Sequence, residues 1–417
     1  MIEYSVVATL PTVRTTLVAP FSVMLFSCPD SVFTGRPKSS PVYSYATALL
    51  HTDQGITGTG LAFTLGSGNE LVCQAIQRLS EPLIGLEIET LMAQLGIIQR
   101  RIADHSQLRW LGPHKGVVQL ALAALNNACW DLWAKSRGVP LWRLLLDLSP
   151  EALLATLDLS YLDDALTPEQ ALTLLRQPYT QTNFLTSGYP GYDTSAGWLG
   201  YDDAKLTQNI EKSLGAGFTA LKLKVGSDDF TRDLRRATLV RKAIGDSASL
   251  MLDVNQKWSL PEAEAACRAL APLNPLWIEE PTHPDDLLAH QRLNTQIVPG
   301  KIASGEHFPN RIVFKNYLQA DALAYVQADA VRLAGVSEFM AVSLLAKQFG
   351  KPIVPHVGDM GQLHQHLVLF NAIVLGQEPV FLEHIPHLKA HFVHPARVEN
   401  GVYQVPQEPG ASCDLIP

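Results

Sequence analysis

Charge is scarce in this sequence: Asp, Glu, Lys and Arg make up 17% of its 417 residues, against roughly a quarter in an average soluble domain. What charge there is leans acidic, with a net of −8. A chain without a basic excess lacks the surface that neutralises phosphates, which argues against a nucleic-acid partner. Cysteine pairing patterns are missing as well. The five cysteines, Cys28, Cys73, Cys129, Cys267 and Cys413, are odd in number, widely spaced and never arranged as Cys-x-x-Cys. Neither a disulfide framework nor a zinc ribbon is indicated, and free thiols of a cytoplasmic protein are expected. No basic stretch leading into an apolar run opens the chain, so no signal peptide is read. The most apolar stretch, Val117 to Ala134, is interrupted by Gln119, Asn126, Asn127 and Asp131. Those groups are costly in lipid, so it reads as a buried helix and no membrane partner is expected.

What the chain does have is apolar content, at 47%, enough to exclude disorder and fill a large core. Tyr43 to His51 alternates and is β-rich, Gly55, Gly58 and Gly60 punctuate a hairpin or bulge, and Val117 to Ser136 forms a long helix stopped by Gly138 and Pro140. The first ~145 residues therefore read as a compact α+β domain. From about residue 153 the pattern changes to short β-rich runs followed by helix-length amphipathic stretches. The runs are LATLDLSYL, ALKLKVG, LMLDVNQKW, LWIEEP, KIASGEH, LAYVQADAV, PIVPHVG and VFLEHI. Eight runs alternating with helices predict an α/β fold, a (β/α)8-type barrel. The Thr180 to Asp203 stretch, rich in Gly, Ser, Thr and Tyr, is expected as a long loop over the barrel mouth between the first two strands.

Lys224, Asp253, Glu279, Glu306, Asp329, His356 and Glu383 fall near the ends of successive runs, 23 to 29 residues apart. One βα unit is roughly 30 residues long, so this step puts one polar group at the top of each strand, and those tops converge on one mouth. Three neighbouring carboxylates, Asp253, Glu279 and Glu306, would repel one another unless a divalent cation joined them. An all-oxygen donor set selects a hard ion, Mg²⁺, one per subunit. Lys222 and Lys224 alternate onto one face of a strand with apolar neighbours; burial and mutual repulsion are expected to lower their pKa and free a neutral amine as a base. His356 and Asp329, on neighbouring strands, are expected to form a dyad in which the carboxylate fixes the imidazole tautomer. His364 and His366 lie beyond, on a predicted helix; positions i and i+2 diverge there, so joint metal binding is discounted. A carboxylate-bound cation with a lysine on one side and a His–Asp dyad on the other suits removal of a proton α to a carboxylate.

KLKVG, LDVNQKW, WIEEP, ASGEH, VQAD and PHVG together resemble the enolase superfamily, in its mandelate racemase branch. AFTLGSGNE, QLRWLGPHKGVVQLALAALNNACWDLWAK and GYPGYDTSAGWLGYDDAKL are similar to the L-fuconate dehydratase group within it. The resemblance spans about Pro41 to Glu383. It implies an enolase-like molecule: a capping domain over 1–145, a barrel over 146–385, and a 386–417 segment packing back on the cap. It implies dehydration of a sugar acid whose carboxylate chelates Mg²⁺ held by Asp253, Glu279 and Glu306. Lys224 would take the C2 proton, assisted by Lys222. His356, oriented by Asp329, would expel the C3 hydroxyl, giving a 2-keto-3-deoxy acid. Glu383 would stand near the substrate carboxylate and Asn255 near the substrate or metal. The Ser22 to Lys38 loop and the AFTLGSGN hairpin would supply specificity.

One segment departs from that group. After the histidine the group has a glycine pair and a longer, more apolar stretch, whereas PHVGDMGQLHQHL is shorter and introduces Asp359, Gln362 and His364. The expected partners are a small-molecule sugar acid and further copies of the chain, as a homo-oligomer. The alternatives are a racemase or epimerase using the same two bases, and a catalytically idle barrel serving as a binding or structural protein.

Overall fold

The structure, a computed structural model, describes residues 42–112 and 114–416 and, nearer the start, the backbone of two short strands, Val13–Leu17 (β1) and Phe26–Ser27 (β2). The rest of the Ser22 to Lys38 loop lies outside the described residues. Val42–Thr52 (β3) and Thr57–Thr64 (β4) form an antiparallel hairpin, with β1 and β2 paired to β3. Gly58 and Gly60 are not turn residues. They sit inside β4 where the helix Gly116–Ser136 crosses it, and a Cβ at either would collide with the backbone oxygen of Ala128 or Ala124.

The polar residues of that helix explain why it is not lipid-facing. Asn127 Nδ2 donates to the carbonyls of Leu61 (3.1 Å) and Ala330 (3.0 Å), and Asn126 Nδ2 donates to Gln99 and Ser337. Both side-chain oxygens accept from the backbone of Val336 and Ser337. Buried amides are thus satisfied by joining the first domain to the second. Among the described residues no helix is long and apolar enough to cross a membrane.

The second domain is a barrel of parallel strands. Tyr189–Gly197 (β5), Ala220–Lys224 (β6), Ser249–Asp253 (β7), Trp277–Glu279 (β8), Ile302–Ser304 (β9) and Tyr325–Val326 (β10) pair in sequence order. Ile353 continues the array by a parallel bridge to Val326. Leu382–His384 (β11) returns to pair with β5. Helices Asp203–Gly215, Phe230–Ile244, Leu260–Leu270, Leu287–Arg292, Arg311–Gln319, Val336–Gln348 and Leu363–Ile373 separate these staves. Tyr192, Ala220, Met251, Trp277, Ala303 and Val354 form a fully buried cluster filling the barrel, so it is a packed core and not a channel.

Two expectations need correction. LATLDLSYL is not the first strand: Ser149 caps a helix, Pro150–Ala155, whose end occupies the start of that run, and Leu157 and Leu162 are buried in irregular backbone. The first stave is β5, inside the stretch expected to be a mouth loop. Its polar composition misled because its polar groups have partners within the barrel. Thr194 Oγ1 donates to Glu383 (2.6 Å), and Asp193 accepts from Ser195.

The chain's last part divides. Val398–Glu399 (β12) and Val402–Tyr403 (β13) form a hairpin that extends β5 antiparallel. Ala411 N–H then donates to Asp131 on the cap helix (2.7 Å), and Asp414 accepts from Thr59 (2.5 Å) and Lys135 (2.9 Å).

Candidate active site

The C-terminal ends of the staves bring the polar residues to one mouth. Lys222 and Lys224 project from the same face of β6, as alternation requires. Register places Lys224 opposite Asp253 and Asp253 opposite Glu279. Glu306 follows β9, Asp329 follows β10 and His356 follows the Ile353 bridge. A cavity of about 190 Å³ opens here, lined by Lys224, Asn255, Glu306, His356 and Glu383 of the expected set, with Thr194, Trp198, Gln256, His307 and Arg332. The cap covers it with Tyr43, Phe63 and Leu65, the last two from the expected AFTLGSGN segment. Lys222, Asp253, Glu279 and Asp329 lie beneath the floor, each 0 or 1% exposed.

The floor is one continuous ion network. Lys222 Nζ lies 2.7 Å from both Glu279 and Glu383 and 3.5 Å from Asp253; Lys224 pairs with Asp253. The other Glu279 oxygen accepts from Trp277 (3.0 Å) and Gln327 (2.7 Å). Burial and the neighbouring Asp253 push Glu279 up to about 8. Burial opposes ionisation of Glu383 too, but Lys222 and His356 outweigh it and hold it down at about 2.

The lysines do not titrate as expected. Burial lowers the Lys224 pKa and Lys222 repels its charge, yet Asp253, Glu306 and Glu279 outweigh both and raise it. Two lysines among this many acids are held as cations. Lys224 becomes available as a base only when other positive charge takes up those carboxylates.

On the other side, His356 Nδ1 donates to Asp329 Oδ2 at 2.6 Å while Nε2 faces Glu306 Oε2 at 3.2 Å. Burial alone would lower the imidazole, but Glu306 and the Asp329 hydrogen bond push it up to about 9. Gly358 N–H reaches the same Asp329 oxygen at 3.1 Å, an approach that a Cβ at Gly358 would block.

Sequence reasoning missed a second acidic cluster. Glu280, Glu306 and His307 offer donor atoms all within 4.8 Å of one another. Glu280 follows Glu279 directly, so regular alternation would turn it away from the mouth. A left-handed backbone at Glu280 (φ 44°) brings it back, and Asn255 and Gln256 across from it are left-handed too (φ 50° and 65°). Such strain collects where a site needs it. Glu280 receives Gln256 and meets His307 Nδ1 at 2.7 Å. Arg332, also overlooked, stacks on Phe63 with its guanidinium 5.0 Å from the ring centre and reaches His307 at 3.2 Å. The repeated acid of EEP and the histidine of GEH were the available signals. The HQH pair diverges as expected. His366 accepts from the Trp142 backbone, whereas His364 turns to Asp329 and Asp359.

The donor chemistry fits a hard divalent ion. Asp253 and Glu279 are adjacent buried carboxyls that cannot both ionise cheaply without added positive charge, whereas Glu306 gathers with Glu280 and His307, the donors that lie within 4.8 Å of one another.

Comparisons with known proteins converge on one kind of molecule. Residues 38–145 match the family model described as mandelate racemase / muconate lactonizing enzyme, N-terminal domain, and residues 205–416 match the one described as enolase C-terminal domain-like. The crystal structure of human mitochondrial enolase superfamily member 1 superposes with a TM-score of 0.89 at 38% identity, covering 98% of this chain and 95% of that one. An L-galactonate dehydratase from Hypocrea jecorina is 41% identical over 387 residues, 90% of this chain and 86% of its own length. The structure of an L-talarate dehydratase from Polaromonas sp. JS666, complexed with Mg and L-glucarate, superposes with a TM-score of 0.70 at 27% identity, covering 90% of each chain.

Proposed function

The chain belongs to the mandelate racemase / muconate lactonizing enzyme family of the enolase superfamily, and from that we propose an Mg²⁺-dependent acid-sugar dehydratase, a hydro-lyase that converts a sugar acid to its 2-keto-3-deoxy product. The observation that carries the reading is the pair of unlike groups across one small cavity: Lys224 on β6 and the His356–Asp329 dyad opposite. Asp253, Glu279 and Glu306 are the residues that would hold Mg²⁺, since Mg²⁺ prefers oxygen donors to the imidazole of His307. Bound there, the ion supplies the positive charge that a substrate carboxylate needs as its α-carbon loses a proton.

Lys224, relieved of its carboxylate partners, takes the C2 proton. Lys222 stays beneath, keeping Glu279 and Glu383 in place, and Glu383 and Asn255 border the substrate carboxylate. His356, held through Nδ1 by Asp329, acts in its protonated form. It gives its Nε2 proton to the departing C3 hydroxyl, which leaves as water, and the enol then ketonises. The cap residues Tyr43, Phe63 and Leu65 exclude bulk water.

The substrate belongs with L-fuconate and L-galactonate, the first on sequence resemblance and the second on the 41% identical relative. The departure at Asp359–His364 separates this chain from the fuconate group. Incubating the Mg²⁺-loaded protein with L-fuconate, L-galactonate, D-galactonate, L-talarate and galactarate, with semicarbazide detection of 2-keto acids, tests the reading; no product from any of them overturns it. A homo-oligomer forms part of the same proposal. Low overall charge and the exposed Ile97, Trp110 and Leu111 of the cap support it, and a monomer mass by light scattering would exclude it.

A further inference from the structure

Directly behind the His356–Asp329 dyad lies a second histidine–aspartate pair that the proposed reaction does not use, built by the one segment in which the sequence departs from its group. His364 is 0% exposed and Asp359 is 1% exposed. His364 Nδ1 meets Asp359 Oδ1 at 2.5 Å. The other Asp359 oxygen accepts from the backbone of Gly361 (3.1 Å) and Leu363 (2.9 Å), so the carboxylate is fixed. The far edge of the His364 ring points at the dyad, with Nε2 3.2 Å from Asp329 Oδ1 and within reach of Ala330 N–H at 2.8 Å. A neutral ring accepts from Ala330; an imidazolium donates to Asp329. In either state the ring shares the Oδ1 side of Asp329 with Val331 N–H (2.9 Å), while His356 shares Oδ2 with Gly358 N–H (3.1 Å).

The capping domain reaches the same pair. Tyr45, on β3, donates its hydroxyl to the Asp359 carbonyl at 2.5 Å. The backbone of Phe63, on β4, donates to Val331, two residues past Asp329, at 2.9 Å. The row Tyr45, Asp359, His364, Asp329, His356 therefore runs from the cap to the cavity without a gap.

We propose that His364 is a positioning residue for the acid step. Clamped by Asp359 and, through it, by Tyr45, it wedges Asp329 into the one orientation that keeps His356 Nδ1 engaged and Nε2 aimed at the departing hydroxyl. The row is a mechanical link between cap docking and elimination, and it does not touch Lys224. This inference rests on the dehydratase reading for its kinetic consequence, though not for its geometry.

Partial reactions separate the two. In D₂O with Mg²⁺ and either L-galactonate or L-fuconate, C2 exchange into recovered substrate reports Lys224, and 2-keto acid formation reports His356. His364→Leu raises the ratio of exchange to elimination by about tenfold or more, the usual cost of losing such a partner, with KM little changed. His364→Gln, which retains a polar atom toward Asp329, recovers part of the loss. Asp359→Asn and Tyr45→Phe move the ratio in the same direction by smaller factors, and they stand in should His364→Leu fold poorly. Exchange and elimination falling together, or neither moving, overturns the inference. A crystal structure of His364→Leu decides the geometry without turnover: Asp329 rotated and the 2.6 Å bond to His356 lost supports it, and an unmoved dyad overturns it. A wild-type chain that makes no keto acid overturns the dehydratase reading alone, since the crystal structure still decides the wedge.

Discussion

Lys222 and Glu383 meet at 2.7 Å beneath the cavity, although they stand on the second and eighth staves of the barrel. β5 lies between them and pairs with both strands. Lys222 also holds Glu279, so one ammonium group stands between two carboxyls that are each at most 1% exposed. Removing it leaves buried charge without a partner, which costs far more than the pair itself contributes. Lys222→Met is expected to lower stability by about 3–5 kcal/mol in urea unfolding and to abolish turnover. Unchanged stability would mean that the three groups are not one unit.

Removing the ion tests the acidic floor. EDTA is expected to abolish keto acid formation and added Mg²⁺ to restore it. Because Asp253 opposes ionisation of Glu279, and Glu306 that of Glu280, in the folded chain alone, binding should also raise the melting temperature. At a free Mg²⁺ concentration 100 times Kd the stabilisation is about 2.7 kcal/mol. An identical melting curve with and without Mg²⁺ argues against a site there.

The two proton-handling groups should fail differently. Lys224→Ala removes the proposed base and is expected to suppress both C2 exchange and dehydration, by about 10²–10⁴-fold. His356→Asn removes the acid and is expected to suppress dehydration while exchange continues. Loss of exchange in both would assign the C2 proton to the wrong residue.

A group remote from the floor sets part of the acid sensitivity. His366 is fully buried, and burial holds its pKa down at about 3. An unfolded chain protonates the same ring near pH 6.5. Above that pH neither state takes the proton and stability is flat. As pH falls from about 6.5 toward 3 the unfolded state gains a proton that the folded state refuses, so stability is progressively lost. His366→Gln should flatten the stability profile in that window, measured by urea midpoints; an unaltered slope would place the acid sensitivity elsewhere.

Much of the site was legible because its spacing is imposed by the fold. A polar residue every 23 to 29 positions marked the strand ends, and β6 to β11 follow the runs read as strands. The first stave was not legible. Thr194, Asp193 and Ser195 of β5 look like loop residues in sequence, and only their partners Glu383 and Ser213 make them interior. Glu280 was hidden for a different reason, since alternation assigns it outward and a single left-handed dihedral angle overrides that. His364 was discounted because its helical neighbour could not share a metal with it; its actual partner, Asp359, is reached through the turn preceding the helix.

Asp131 and Lys135 meet Ala411 and Asp414 across sequence separations of 280 and 279, and Thr59 meets Asp414 across 355. A contact of that span carries a larger loop-closure cost than the shorter-range pairings of the barrel. Within the cap, Asp131 Oδ2 already holds Thr59 N–H (2.8 Å) and Lys135 (2.6 Å), and the C-terminal segment adds the partner of Oδ1. The capping domain is thus tied together by residues that lie beyond the barrel in the chain, so a cut between the barrel and Ala411 would loosen the cap.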